Sequence, residues 1–281
     1  MSIIEAIFLG IIQGITEFLP ISSTAHLTIA GKLLGFIDQA NPERWTAFIA
    51  VIQLGTLLAV FLYFFRDVVE ISISFIGENL ISPTRYSLQS LRSRMGWFVI
   101  LGSVPIAAVG LGFRHVIEGH LTKNMGVISV TMIAMALFLG LAELTGKFSK
   151  NLSRISMVDA MLIGCAQALA VIPGASRSGS TIAGGLFLGM TRESAARFSF
   201  LLSMPAVFAS GLLEFKESLK YLDSHNLMVL AVAIAAAALS GYAAIAFLLR
   251  YLRTHTTYIF IFYRIVLGTV MIMGIKYSHL F

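Results

Sequence analysis

The chain has 281 residues, 57% of them hydrophobic and 12% charged, and a formal net charge of +6. Soluble domains carry roughly 25% charged residues, so a soluble fold, a disordered chain, collagen and a coiled coil are excluded together, and the lone Cys165 excludes a disulfide scaffold. With a mean hydropathy of +0.87, the basic excess fits loops that face anionic lipid, and no nucleic-acid partner is expected.

What remains is an all-α polytopic membrane protein, a single integral membrane domain over residues 1–281. The first segment has no basic flank and holds Glu5 and Glu17, so it does not read as a cleaved signal peptide. Residues 2–19 and 21–37 form a short pair jointed at Pro20, and full apolar segments follow at about 45–65, 96–113 and 124–144. The longest loop, 66–95, is too short and too helical in composition to fold alone. A second short pair, 157–172 and 178–190, is jointed at Pro173, and full segments at 195–213, 226–249 and 257–275 complete the chain. Each short arm offers about 12–16 unbroken residues, roughly 18–24 Å of helix against a hydrocarbon core of ~30 Å. The expectation is therefore six transmembrane helices plus two re-entrant helix pairs.

The two short pairs repeat one another. Pro20-Ile-Ser-Ser23-Thr-Ala-His26-Leu-Thr28-Ile-Ala-Gly31 and Pro173-Gly-Ala-Ser176-Arg-Ser-Gly-Ser-Thr181-Ile-Ala-Gly184 match in Pro, Ser and Thr-Ile-Ala-Gly at an offset of 153, and Gln13 and Gln167 precede them one residue out of step. Three full segments separate the pairs, so the second copy enters from the opposite side. That predicts an inverted-topology repeat, approximately 1–144 and 157–281, the architecture that builds sites near the midplane on discontinuous helices. The same parity places eleven Lys and Arg residues on one face and seven on the other. The richer face, with Arg66, Arg92, Lys150, Arg192 and Arg253, is the cytoplasmic one by the positive-inside rule. The first short pair then opens to the periplasmic side.

An ionisable residue inside a membrane costs roughly 2.5–3.5 kcal/mol even on lenient scales, and marks function by default. Glu5, Glu143 and Asp159 lie near segment ends and can snorkel or cap, whereas Glu17, His26 and Arg177 sit beside the repeated prolines. Gln13 and Glu17 share one helix face and suit a divalent cation or a transferable proton. Ser22, Ser23 and Thr24 open the next arm, where free N–H groups favour an anion, and His26 adds an acid/base or nucleophilic group. In the second copy, Ser176, Arg177, Ser178 and Thr181 supply hydroxyls, a planar guanidinium and amides, a cradle for phosphate. No G-x-x-x-x-G-K-[ST] is present, so the cradle is not a nucleotide P-loop. Arg264, midway along the last segment, reads as a second contact to a diphosphate, or else as a salt bridge to Glu143 or Glu17.

At these residues the chain resembles the bacterial undecaprenyl-diphosphate phosphatase family, known also for bacitracin resistance. The resemblance rests on (E/Q)-x-x-x-E followed by F-L-P-x-S-S-T-x-H, here Gln13 to His26, on P-G-x-S-R-S-x-x-T, here Pro173 to Thr181, and on the terminal Tyr263-Arg264. It covers essentially the whole chain. It implies hydrolysis of undecaprenyl diphosphate to the monophosphate carrier in the bacterial inner membrane, with the active site facing the periplasm and a divalent cation, Mg²⁺ or Ca²⁺, near Glu17. Gln13 removes one carboxylate that the pattern permits. By this reading Glu17, Ser23, His26 and Arg177 are catalytic, with Ser23 and His26 both open as nucleophile. Gln13, Thr24, Ser176, Ser178, Thr181 and Arg264 bind substrate. The partners are the polyprenyl diphosphate and membrane lipids, with a homodimer left open. The alternative is a flippase for the lipid phosphate.

Overall fold

The computed structural model describes residues 1–37, 42–112, 124–218 and 224–277, and these are helical with short connections. In chain order the helices are α1 (Ile3–Phe18), α2 (Ser23–Leu33), α3 (Pro42–Tyr63), α4 (Phe65–Ile76), α5 (Leu91–Gly112), α6 (Met125–Thr145), α7 (Met157–Ala168), α8 (Arg177–Phe187), α9 (Arg192–Ser218), α10 (Ser224–Leu252) and α11 (Tyr258–Tyr277). Six of them, α3, α5, α6, α9, α10 and α11, are long and apolar enough to cross a membrane. The protein is thus an all-helical, multi-pass membrane protein. Many of its large apolar side chains point outward, Ile4 at 79% exposure and Leu239 at 76% among them, as a lipid-facing surface requires.

Small residues set the helix spacing. A Cβ on Gly14 of α1 would collide with Ser240 of α10, and one on Gly164 of α7 would collide with the backbone of Gly102 in α5. Helices in lipid gain little from excluding water and associate through close backbone approach, which glycine permits. The largest buried cluster, with Phe18, Phe64, Phe98, Phe198 and Phe200 at its centre, joins the C-terminal end of α1 to α3, α5 and α9. It fixes the turn after α1 against the rest of the molecule.

The segment expected as the loop 66–95 contains α4, and α5 begins at Leu91, five residues before the expected start. Arg66, Asp67 and Glu70 break the apolar run, yet Val68, Ile71 and Phe75 recur at helical spacing. None of the residues of α4 is fully buried, and the helix packs against α5. The connector to α5 is itself ordered. Ser90 N–H donates to Glu78 Oε2 at 2.8 Å, while Asn79 Oδ1 accepts from Gln89 Nε2 at 2.8 Å and Trp97 Nε1 at 3.1 Å.

Ion pairs bring one set of helix ends together. Glu70 meets Arg92 at 2.9 Å, Asp67 meets Arg197 at 3.1 Å, Lys150 meets Asp159 at 2.9 Å, Glu193 meets Arg253 at 2.9 Å, and Glu143 pairs with Arg192. Glu143 also accepts from Thr257 Oγ1 at 2.8 Å at the start of α11. These are residues of the basic-rich face. Of the opposite face, Arg114, Lys123 and Lys220 lie outside the described residues.

Candidate active site

The site forms where two short helix pairs turn. α1 opens with a capping box in which Ser2 and Glu5 satisfy each other's backbone N–H, and α7 opens with the same device built from Ser156 and Asp159. Both acids therefore act as caps. α1 ends as Leu19 becomes extended (ψ 139°) ahead of Pro20, the conformation a residue before proline prefers.

The arms that follow start alike. Ser22 and Ser176 are N-caps with φ of 74° and 67°, and their hydroxyls accept from Ala25 N–H at 3.4 Å and Gly179 N–H at 3.2 Å. A non-glycine residue held at positive φ costs on the order of 1–3 kcal/mol and persists only where its surroundings impose it. Ser2 and Ser156, Ser22 and Ser176, and the left-handed Gly35 and Gly189 (φ 71° and 81°) are all 154 residues apart. The structural correspondence is therefore one residue longer than the sequence match of 153. It changes the pairing that matters. Ser23 is equivalent to Arg177, not to Ser176 as in the sequence match, and each is the first residue of its helix.

Both of those first residues grip Glu17. Its carboxylate is buried, and Oε2 accepts from Gln13 Nε2 at 2.9 Å, Ser23 Oγ at 2.8 Å and, more weakly, Gln53 Nε2 at 3.5 Å. Oε1 is ion-paired with Arg177. Gln13 Oε1 is buried and has no partner. Gln53 was not anticipated; a single amide inside a long apolar segment belongs to no motif, and its polarity alone could have flagged it. The counterpart of Glu17 in the second pair is Val171, and Gln167, the counterpart of Gln13, is buried with both amide atoms unpartnered. The acid resides in one half only.

The other candidates occupy a shell around this cluster. Ser178 Oγ crosses from α8 to donate to the Leu19 carbonyl at 3.2 Å, and it lies 3.2 Å from Ser176 Oγ. Thr24 is half-buried on the first turn of α2. Thr181 is fully buried, with its hydroxyl on the Arg177 carbonyl at 2.8 Å and against Ser199, so it braces Arg177 from behind. His26 is one turn along α2 and is hydrogen-bonded outside the Glu17 cluster: Nδ1 lies 2.8 Å from the Ser22 carbonyl and Nε2 lies 2.6 Å from the Tyr263 hydroxyl.

Arg264 is fully buried, and its guanidinium donates to backbone carbonyls of three elements. Nε reaches Met132 at 3.2 Å, Nη1 reaches Pro20 at 3.2 Å, and Nη2 reaches Gly174 at 3.1 Å and Ala175 at 3.0 Å. Glu143 pairs with Arg192 and Glu17 with Arg177, so neither makes the salt bridge to Arg264 weighed from the sequence. The residue clasps the two proline turns to each other. Chemically, the ensemble is a carboxylate with a hydroxyl on one oxygen and a guanidinium on the other. Ser23 and Arg177 each open a helix, and a helix start is suited to an anion such as phosphate.

A family model described as bacitracin resistance protein BacA matches residues 6–270. The chain is 58% identical over 268 residues to an undecaprenyl-diphosphatase of Syntrophobacter fumaroxidans, covering 95% of each chain. It is 48% identical over 289 residues to one of Chlorobaculum tepidum, covering 100% of this chain and 99% of the other.

Proposed function

The chain belongs to the bacitracin resistance protein BacA family, and from that premise we propose that it hydrolyses undecaprenyl diphosphate with Ser23 as nucleophile and Glu17 as its base. The observation that carries this reading is the hydrogen bond from Ser23 Oγ to Glu17 Oε2 at 2.8 Å, the nucleophile–base pairing that a weakly acidic hydroxyl needs. His26, the other candidate, has both ring nitrogens engaged elsewhere.

Without substrate, Arg177 and Glu17 neutralise each other. A diphosphate carries more charge than one carboxylate and draws the guanidinium onto its own oxygens, where a planar fork binds well. Glu17 is then free to accept a proton. Ser23 Oγ bonds to the terminal phosphorus as its proton passes to Glu17. The bond from that phosphorus to the bridging oxygen breaks, and undecaprenyl phosphate leaves. The departing undecaprenyl phosphate carries off the proton held by Glu17, which returns to its carboxylate form. Water then attacks the phosphoserine as Glu17 takes its proton, and Glu17 passes that proton to Ser23 Oγ as the phosphorus–oxygen bond to Ser23 breaks, releasing phosphate and the free hydroxyl. The leaving group is already a stable phosphate anion, so positioning and charge stabilisation carry most of the rate. Ser176 and Ser178 hydroxyls, Thr24 and the first-turn amides of α2 and α8 supply the remaining donors.

A divalent cation, Mg²⁺ or Ca²⁺, fits the donors present. Glu17 and the unpartnered Gln13 Oε1 are hard oxygen ligands, and Mg²⁺ is commonly held by one or two carboxylates plus substrate phosphate. Among the described residues no group of three or more His, Cys, Asp or Glu gathers around a point, so such an ion would depend on diphosphate oxygens. When bound it would neutralise charge on the phosphoryl group.

The short pairs are read as re-entrant, in an inverted repeat over about 1–144 and 157–281 of one membrane domain. The constant offset of 154 and the three long helices α3, α5 and α6 between the pairs support this. The ion-paired, basic-rich end supports a cytoplasmic assignment for that face and a periplasmic opening for the site. The test is phosphate release from undecaprenyl diphosphate by purified protein. Ser23→Ala and Glu17→Ala are expected to lower kcat by at least about 10³-fold, as loss of a nucleophile or its base does. A Ser23→Ala variant that turned over at the wild-type rate would remove Ser23 from the mechanism.

A further inference from the structure

We infer that Tyr263 is a positioning residue for this reaction, holding Ser23 in place through His26. The inference rests on the reading that Ser23 attacks phosphorus. Nothing in the sequence alone suggested the contact, because the partners lie 237 residues apart.

The geometry forms a chain. The Tyr263 hydroxyl is 2.6 Å from His26 Nε2, and the two rings lie nearly parallel, 5° apart in plane with centroids separated by 5.6 Å. On the other side of the imidazole, Nδ1 is 2.8 Å from the Ser22 carbonyl. A carbonyl can only accept, so Nδ1 carries the proton. In a neutral imidazole Nε2 is then the acceptor, and the Tyr263 hydroxyl is the donor. Tyr263 thus selects one tautomer, and that tautomer grips Ser22. Ser22 is the N-cap at φ 74°, a conformation that needs external support, and the next residue is Ser23. Release of the Ser22 carbonyl would let the cap relax and carry Ser23 Oγ away from Glu17.

The neighbouring residue reinforces the point. Arg264 holds the Pro20, Gly174 and Ala175 carbonyls, so two consecutive residues of α11 govern the site without belonging to the Glu17 cluster. Arg264 sets the two turns against each other, and Tyr263 reaches across from α11 to set the first turn of α2. The hydroxyl is the active part of Tyr263. The residue is 41% exposed, and Phe in its place keeps the ring that lies against His26.

The experiment uses Tyr263→Phe, which keeps the ring and deletes the donor. Two measurements are made on the full-length protein in detergent: steady-state phosphate release, and ¹⁵N NMR of the His26 ring nitrogens with histidine-selective labelling. Wild type is expected to show a protonated Nδ1 and an acceptor Nε2. Tyr263→Phe should show a mixture of tautomers and a kcat lowered about tenfold, the worth of one hydrogen bond, with KM within twofold. In a His26→Gln background, Tyr263→Phe should cost less than twofold, because residues acting through one another are not additive. A single unchanged tautomer in Tyr263→Phe, or full additivity with His26→Gln, would overturn the inference. The NMR readout does not depend on turnover. A failed serine mechanism, seen as an active Ser23→Ala, is thereby distinguished from a failed role for Tyr263.

Discussion

Glu17 shows how much a single residue can organise. It is the one buried carboxylate at the turns, and it is met by an amide, a hydroxyl and a guanidinium. Its importance was legible because an acid deep in an apolar segment is expensive. The same reasoning singled out Gln13, Ser23 and Arg177, which the structure brings to its carboxylate. It assigned Arg264 to substrate, since a sequence cannot show that backbone carbonyls are waiting for a guanidinium. The structure supplies four carbonyls from α6 and both turns. A lysine offers three donors from one point and cannot reach all of them. Arg264→Lys should therefore leave buried carbonyls unpaired, at about 1–3 kcal/mol each. We expect thermal unfolding in detergent to fall by several degrees and kcat to fall with it, as the turns lose their mutual register. An unchanged unfolding temperature would mean that the clasp is dispensable.

At the level of elements, the six long helices were legible because spanning segments are set by length and hydropathy. The helical composition of 66–95 was legible, but the charges of α4 obscured its bounds, and the true register of the two short pairs was hidden by chance identity. Thr28-Ile-Ala-Gly31 and Thr181-Ile-Ala-Gly184 align perfectly at 153, but the caps and left-handed glycines align at 154. Backbone geometry outranks side-chain identity here, because a cap must fall at a fixed place on its helix. The connector between α4 and α5 offers a separate test. The Ser90 hydroxyl and backbone N–H hold the Glu78 carboxyl below its ordinary range. A carboxyl lowered on folding contributes stability above its unfolded range and loses it as the pH falls through its folded one. Hydrogen exchange at the start of α5 should therefore accelerate as the pH drops below the usual carboxylate range, after correction for intrinsic rates. Glu78→Gln should flatten that dependence. If both proteins showed the same profile, Glu78 would have no part in the cap.

Across the whole molecule, the two halves share a scaffold and divide the chemistry. Each contributes a capped short helix, a buried glutamine, a strained serine and a second short helix. Only the first has Glu17, and only the second has Arg177. The site exists only where the halves meet, so the relation between them decides its access. An inverted relation places residues 154 apart on opposite sides of the membrane; a parallel one places them on the same side. Ser2 and Ser153 stand just ahead of the two short pairs, and both are exposed. In a Cys165→Ser background, Ser2→Cys should react with a membrane-impermeant maleimide added outside spheroplasts, and Ser153→Cys only after permeabilisation. That result would also place the face bearing Arg92, Arg192 and Arg253 in the cytoplasm, with the substrate headgroup entering from the periplasm. Labelling of both from one side would exclude the inverted relation. Labelling of Ser153→Cys alone from outside would keep the inversion but reverse the orientation, and the site would then have to draw its substrate from the inner leaflet.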